Sequence, residues 1–193
     1  MTLWTAREQA PTRTLSEADF AVAIGDRYFE DYQEGAVYEY GYATVDGDEL
    51  VAFARRFDPQ AIHVDAEFAA TGPFGGLIAS GWHTGGIFMR LFADHYLSKV
   101  ASLASPGLDE LRWPAPVRPG DTLRLRTTTT ETRRSRSKPD RGLVFTHAEL
   151  LNADNSVVLS LKAMNLLRLR DRRDFGSAAR TITQTAPGRT RSA

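Results

Sequence analysis

The clearest pattern in the chain is an alternation of apolar and polar residues in its C-terminal half. Residues 122–134, "TLRLRTTTTETRR", alternate over most of their length, as do 143–153, "LVFTHAELLNA", and 156–170, "SVVLSLKAMNLLRLR". A period of two sends successive side chains to opposite faces, so each stretch predicts a half-buried β-strand. The breaks at "SKPDRG" (137–142) and "NADNS" (152–156) have the composition of hairpin turns.

Two more strands are predicted upstream of these three. Residues 36–45, "AVYEYGYATV", are rich in the aromatic and β-branched residues that strands favour. Residues 108–117, "LDELRWPAPV", precede a turn at "RPGD" (118–121). The chain therefore predicts a long antiparallel sheet.

Helical periodicity is confined to the region between the first two strands. In "DELVAFARRF" (48–57), apolar residues recur at helical spacing, and Thr44 or Asp46 can cap the segment. A short helical turn, "DAEFAA" (65–70), follows, and Asp65 suits its N-cap.

A long helix is predicted to begin near residue 79, within "GPFGGLIASGWHTGGIFMRLFADHYLSKVASL" (72–103). Large apolar residues leave few of its positions to face water, which predicts a helix buried nearly all round. One buried helix and a long antiparallel sheet indicate an α+β fold in which the sheet wraps around a central helix.

Length and composition set the domain boundaries. The chain has 193 residues, of which 42% are hydrophobic, enough for one domain of about 150 residues with extensions. We expect an N-terminal arm over 1–26 and one domain over 27–170. Residues 171–193 are rich in Arg, Thr, Ser and Ala, which predicts a flexible C-terminal tail.

Charge and cysteine content narrow the function classes. Twenty-four basic and 24 acidic residues balance, which favours neither nucleic acid nor an anionic membrane as a partner. The absence of cysteine excludes disulfides, thiolate nucleophiles and Cys-ligated zinc. The N-terminus lacks the apolar core of a secretory signal, and no apolar run is long enough to span a membrane. We therefore expect a soluble, cytoplasmic protein.

The main candidate for chemistry is the stretch "FARRFDPQAIHVD" (53–65). Asp58 and His63 lie on either side of a break at Pro59, and an aspartate and an imidazole are the groups of an acid–base pair. The same residues also suit a polar turn that ends a helix, because Asp-Pro favours turns. Taken alone, the stretch favours the turn.

The wider pattern resembles the MaoC-like family of the hot-dog fold, the (R)-specific enoyl-CoA hydratases. The family combines an aspartate, a histidine five residues later, an acidic residue, a Phe-bearing turn and a Gly-rich entry to a central helix. Asp58, His63, Asp65 and Phe68 match in order, followed by "PFGGLIASGWHTGG". The turn in "PVRPGDTL" (116–123) also resembles the family's, and the resemblance covers residues 27 to 168.

The resemblance implies reversible hydration of trans-2-enoyl-CoA to (R)-3-hydroxyacyl-CoA in fatty acid metabolism. Asp58 is the expected base on the water, and His63 orients the water and helps to deliver a proton to C2. The Gly81 N–H, at the start of the central helix, is the expected oxyanion donor. The sequence leaves open which of Asp58 and His63 holds the proton at each step.

The resemblance also sets expectations for binding and assembly. It implies a homodimer or a dimer of dimers, and an acyl-CoA substrate with its chain beside the central helix. No cofactor and no metal are expected, since His63, Asp65 and His83 lack the context of a metal site. Around the substrate we place five residues: Gln60, Phe74, Ser80, Trp82 and His83.

One departure from the family pattern keeps other functions open. The family's Asn-Pro within the loop is Gln60-Ala61 here, and the proline comes earlier, at Pro59. A catalytically inactive acyl-binding subunit of the same fold therefore stays open. An acyl-CoA thioesterase on this fold is the other alternative, although the intact spacing of Asp58 and His63 argues against it.

Overall fold

The computed structural model describes residues 22–171. Most of the predicted N-terminal arm, and the predicted tail from residue 172, lie outside the described residues. The described chain forms one antiparallel sheet and a short series of helices that precede its second strand.

The sheet has five strands in the order β1-β3-β4-β5-β2, and all neighbouring strands are antiparallel. They are β1 (Val37–Thr44), β2 (Ser102–Arg112), β3 (Thr122–Arg134), β4 (Arg141–Leu151) and β5 (Val157–Arg168). Burial alternates along β3 and β4, as the sequence predicts, because one face of the sheet covers the core and the other meets solvent.

Four α-helices connect β1 to β2: α1 (Gly47–Phe57), α2 (Ala61–Val64), α3 (Ala66–Thr71) and α4 (Gly81–His95). Two 3-10 helices, Ile24–Asp26 and Phe29–Asp31, precede the sheet. Asp46 caps α1 by accepting a hydrogen bond from the Glu49 N–H at 2.9 Å. The sequence predicted α1, α3 and α4 but missed α2, which is only one turn long.

The second strand lies upstream of its predicted position. The sequence predicted a strand over 108–117, whereas β2 covers Ser102–Arg112 and ends before Trp113. Pro114 and Pro116 explain the error, because proline has no N–H to donate to a neighbouring strand. The segment from Trp113 to Val117 instead crosses the start of α4.

Helix α4 packs against the sheet at β1 and β3, but it is not buried all round as the sequence predicts. His83, Thr84, Phe88, Leu91 and Phe92 are buried. Trp82 and Met89 are 62% and 46% exposed, because the sheet of one chain covers only one side of the helix. The prediction of all-round burial is therefore wrong for the single chain.

A buried polar cluster closes the C-terminal end of α4. The Arg27 guanidinium, fully buried, donates from Nη1 to the carbonyl oxygens of His95 at 3.1 Å and Tyr96 at 2.9 Å. The Tyr32 hydroxyl donates to the same Tyr96 oxygen at 2.8 Å and accepts from the Ser98 N–H at 3.0 Å. Because the last carbonyls of a helix have no intrahelical partner, this arginine cluster satisfies the end of α4.

Candidate active site

Asp58 and His63 are brought together by the break that the sequence showed at Pro59. α1 ends at Phe57, and Asp58 leaves the helical conformation because a following proline disfavours it. The chain then reverses into α2, which carries His63 back toward Asp58. The His63 Nε2 lies 3.5 Å from the Asp58 Oδ2.

The hydrogen bond on the far side of the His63 ring determines its tautomer. Nδ1 lies 2.8 Å from the carbonyl oxygen of Ile78. A carbonyl only accepts, so Nδ1 carries the hydrogen, and in the neutral ring Nε2 presents a lone pair toward Asp58. The ring is buried, so its orientation is held by this contact and by packing.

Two donors hold the Asp58 carboxylate. The Ser80 hydroxyl donates to Oδ2 at 2.6 Å, and the Gln60 side-chain amide donates to Oδ1 at 2.7 Å. These hydrogen bonds, Ser80 first, lower the pKa of Asp58 below its ordinary value, with a smaller contribution from His63. Asp58 is therefore an ionised carboxylate at neutral pH.

The paired atoms suit a bound water. In the neutral tautomer, the Asp58 Oδ2 and the His63 Nε2 are both acceptors, and they face one another across 3.5 Å. A water molecule has two O–H groups and can donate one to each. The pair can thereby orient a water and accept a proton from it.

The start of α4 lies directly against this pair. The Ser80 hydroxyl also accepts from the Trp82 N–H at 3.2 Å, so it caps α4 while it holds Asp58. Gly81 is the first residue of the helix, where N–H groups have no intrahelical partner and the helix dipole is positive. An N–H in this position can stabilise an oxygen that gains negative charge.

His63 and Gly81 line one cleft with a volume of about 270 Å³. Its other walls are largely apolar and include Phe74, Ile78 and Val117, together with the segment Trp113–Pro116. An apolar cleft with a few convergent polar groups is typical of a small-molecule site.

Trp113 belongs to this site, although the sequence had placed it within a strand. Its indole N–H donates to the Gly81 carbonyl oxygen at 2.9 Å. A Cβ at position 81 would stand 2.7 Å from the indole ring, so only glycine fits beneath it. The three prolines in "WPAPVRP" (113–119) were the signal that this segment is a loop.

The remaining predicted site residues divide into two groups. Gln60 and Ser80 contact Asp58, and Phe74 lines the cleft. Trp82 and His83 are absent from the cleft wall, because each step along a helix rotates the side chain by about 100°.

Trp82 instead makes an edge-to-face contact with Trp113, with ring centroids 5.6 Å apart. His83 is buried with its ring 5.1 Å from that of Phe53 and its Nε2 3.9 Å from a Glu49 carboxylate oxygen. Burial lowers the pKa of His83, so the ring is neutral at pH 7.

Asp65 has the structural role that the sequence favoured. Its side chain accepts from the Glu67 and Phe68 N–H groups, each at 3.0 Å, and thereby caps α3. Within residues 22–171, no group of three His, Asp or Glu side chains is arranged to hold a metal ion. No helix in that range is long and apolar enough to cross a lipid bilayer.

Comparison with known proteins identifies the family. Residues 32–147 match the profile of the MaoC like domain. The chain is 39% identical to 3-hydroxyacyl-thioester dehydratase Z of Mycobacterium tuberculosis over 111 residues, which cover 56% of this chain and 68% of the relative. The chain belongs to the MaoC-like family. Members of this family are hydratases and dehydratases, so the protein is an enzyme of the hydro-lyase class.

Solved structures agree with this assignment. The MaoC-like dehydratase of Rhodospirillum rubrum is 37% identical, with a TM-score of 0.68 over 75% of this chain and 99% of its own. A Mycobacterium tuberculosis protein with a double hot-dog fold has a TM-score of 0.64 at 19% identity, over 86% of this chain and 48% of its own. The fold is therefore the hot-dog fold that the sequence predicted.

Proposed function

We propose that this MaoC-like protein catalyses the reversible hydration of trans-2-enoyl-CoA to (R)-3-hydroxyacyl-CoA. The observation that carries the proposal is the 3.5 Å approach of the Asp58 Oδ2 to the His63 Nε2 at an apolar cleft that Gly81 also lines. The relative named a 3-hydroxyacyl-thioester dehydratase supports a thioester substrate.

Each group has one task in the proposed reaction. Asp58 accepts a proton from the water as the water oxygen bonds to C3, and His63 Nε2 orients that water. The C2–C3 double bond becomes an enolate, whose negative thioester oxygen accepts a hydrogen bond from the Gly81 N–H. The proton held by the Asp58–His63 pair then passes to C2, which balances the addition of water. Dehydration follows the same steps in reverse.

We further propose that two copies of the chain assemble as a homodimer, alone or as a dimer of dimers, in the cytoplasm. β2 is an edge strand with most of its residues exposed, so its outer backbone groups are available to another strand. Beside it lies an apolar groove of about 500 Å³ bordered by Trp82, Met89 and Leu108. These side chains are 46–62% exposed, and a second copy would cover them. Size-exclusion chromatography with light scattering tests this; a monomeric wild-type protein would contradict it.

The activity is tested with crotonyl-CoA and longer trans-2-enoyl-CoA substrates, by following loss of the enoyl absorbance. Asp58→Asn and His63→Ala should each lower kcat by on the order of 10²–10⁴-fold, as expected for loss of an acid–base group. Asp65→Asn is the matched control, because asparagine caps a helix as well as aspartate does and Asp65 lies outside the cleft.

Two outcomes would contradict the proposal. Release of free CoA without hydration would indicate the thioesterase instead. Binding of acyl-CoA with no turnover in either direction would indicate the inactive acyl-binding subunit.

A further inference from the structure

Arg118 differs from the other arginines of the described chain in how it is placed and paired. Seven arginines in residues 22–171 form ion pairs with a described carboxylate. Arg27 is fully buried in the cluster at the end of α4. Five others are exposed: Arg55, Arg56, Arg112, Arg136 and Arg168. Arg118 is half-buried, and no described carboxylate oxygen lies within 4.0 Å of its guanidinium.

The guanidinium of Arg118 is held at the entrance to the cleft. Its Nη2 donates to the Phe74 carbonyl oxygen at 2.5 Å. Phe74 lines the cleft, and so does Val117, which directly precedes Arg118 in the chain. The nearest acid in sequence, Asp121, directs Oδ2 to the backbone N–H of Arg118 at 2.8 Å. The guanidinium is thus held by one neutral carbonyl oxygen, and no described carboxylate pairs with its charge.

The loop that contains Phe74 also brings Gly76 close to the Arg118 guanidinium. Gly76 has φ +152°, and a Cβ there would stand 3.4 Å from Nη1. Among the residues that line the cleft, Phe74 is 39% and Trp113 41% exposed, whereas His63 is 5% exposed, so the cleft is open to solvent at Phe74 as well as at Trp113. A molecule whose thioester reaches His63 and Gly81 and that leaves the cleft on the Phe74 side would extend past Arg118 to solvent.

We propose that Arg118 binds a phosphate of the phosphopantetheine arm that carries the acyl group. This proposal rests on the proposed function, since it assigns the carrier end of the same substrate. A guanidinium matches phosphate oxygens with paired N–H donors, and such charge-assisted bonds are about twice as strong as neutral ones. The same phosphopantetheine chemistry occurs in coenzyme A and on acyl-carrier protein.

The test compares crotonyl-CoA with crotonyl-pantetheine, which lacks phosphate, in wild type and Arg118→Gln. Glutamine keeps an amide donor for the Phe74 carbonyl and removes the charge. We expect the KM for crotonyl-CoA to rise about tenfold with kcat nearly unchanged, and the KM for crotonyl-pantetheine to stay the same. Arg118→Lys should recover part of the loss.

The control is Arg136→Gln, because Arg136 is exposed and follows the far end of β3, about 40 Å from Arg118 along the strand. Equal effects of Arg118→Gln on both substrates, or an effect on neither, would overturn the proposal. Equal effects would mean that Arg118 only fastens the Phe74 loop.

Two further experiments distinguish failure of the Arg118 proposal from failure of the proposed function, and coenzyme A from acyl-carrier protein as the carrier. If wild type hydrates no enoyl thioester, the proposed function fails, and calorimetry with free CoA still tests Arg118. Weaker CoA binding in Arg118→Gln would then support the phosphate contact, and unchanged binding would overturn it. Crotonyl-acyl-carrier protein, assayed beside crotonyl-CoA, shows which carrier loses more when Arg118 is replaced.

Discussion

The two ends of α4 both carry buried polar side chains, yet they are built for different purposes. At the C-terminal end, the arginine cluster gives the last helix carbonyls the donors they lack, and Arg27 is fully buried. At the N-terminal end, Ser80 and Gln60 hold the Asp58 carboxylate, which stays 19% exposed beside the cleft.

At each end of α4, the charged side chain is opposite in sign to the helix dipole. A cation lies at the negative end of the helix dipole and a carboxylate near the positive end. The difference lies in what is left over. The C-terminal cluster is closed to solvent, whereas at the N-terminal end His63 and Gly81 line a cleft and the Asp58 side chain, 3.5 Å from His63, is 19% exposed. A polar cluster with hydrogen-bonding groups available at a cleft can bind a substrate, whereas a fully satisfied cluster stabilises the fold.

The largest effect on stability is expected at the closed end. Arg27→Met should lower the free energy of unfolding by about 3 kcal/mol, because it removes charge-assisted hydrogen bonds to buried carbonyl oxygens. Urea denaturation measures the loss, and kcat per folded molecule should not change. A fall in kcat of tenfold or more at temperatures where the variant is folded would contradict the prediction that the C-terminal end of α4 serves stability alone, since tenfold corresponds to about 1.4 kcal/mol.

Gly81→Ala should give the largest effect at the open end apart from the acid–base pair itself. A Cβ would stand 2.7 Å from the Trp113 ring, and shifting the helix start displaces the oxyanion donor. We expect kcat to fall on the order of 10²-fold. The measurement is steady-state hydration of crotonyl-CoA.

The double variant Gly81→Ala with Trp113→Ala shows what the glycine serves. If the glycine only accommodates Trp113, then removing the indole should restore kcat to that of Trp113→Ala. If the substrate itself needs the space above residue 81, the double variant stays as impaired as Gly81→Ala. The first result is the one expected here, because the Gly81 N–H is displaced by the clash between the new Cβ and the indole ring.

Ser80→Ala should affect both stability and pH dependence, since one hydroxyl caps α4 and donates to Asp58. Loss of the cap should cost about 1 kcal/mol. The Ser80 hydrogen bond lowers the pKa of Asp58, so its removal raises that pKa. The acid limb of kcat/KM should then begin at a higher pH.

The lowered pKa of Asp58 also makes the free energy of unfolding depend on pH in the same direction. A carboxyl whose folded-state pKa is lowered stabilises the protein above its unfolded-state pKa, and this is lost as pH falls through the folded-state pKa. Asp46→Ala is the matched control, because Asp46 caps α1 and does not contact Asp58. It should lose similar stability and keep the wild-type pH profile; a shift in both variants would argue against the Asp58 assignment.

The smallest effect is expected from Tyr96→Phe. The Tyr96 hydroxyl lies 2.8 Å from Thr129 Oγ1 and 2.9 Å from Thr146 Oγ1. Loss of these hydrogen bonds should cost about 1 kcal/mol, without any change in KM or kcat. A change in KM beyond twofold would show that the closed end communicates with the cleft.

The parts of this structure that sequence predicts are those set by local spacing. Alternation located β3, β4 and β5 to within about two residues, and the five-residue spacing with Pro59 brought Asp58 and His63 into contact. The contact of Trp113 with Gly81 joins residues far apart in the chain, and no periodicity marks it. Arg27 was missed for the same reason, since its partners lie near residue 96 and it stood at the edge of the presumed arm. The exposed side of α4 was misread because apolar composition does not say which chain covers a face.

The double use of the Ser80 hydroxyl has an evolutionary consequence. A mutation at position 80 weakens the fold and disturbs Asp58 together, so selection for a stable protein alone preserves half of the acid–base arrangement. Gene copies of this chain relieved of catalysis should lose His63 or Gln60 well before Ser80, and a retained serine in such a copy is no sign of activity. An active copy should therefore be recognised by Asp58, His63 and Ser80 together, and not by any one of these residues.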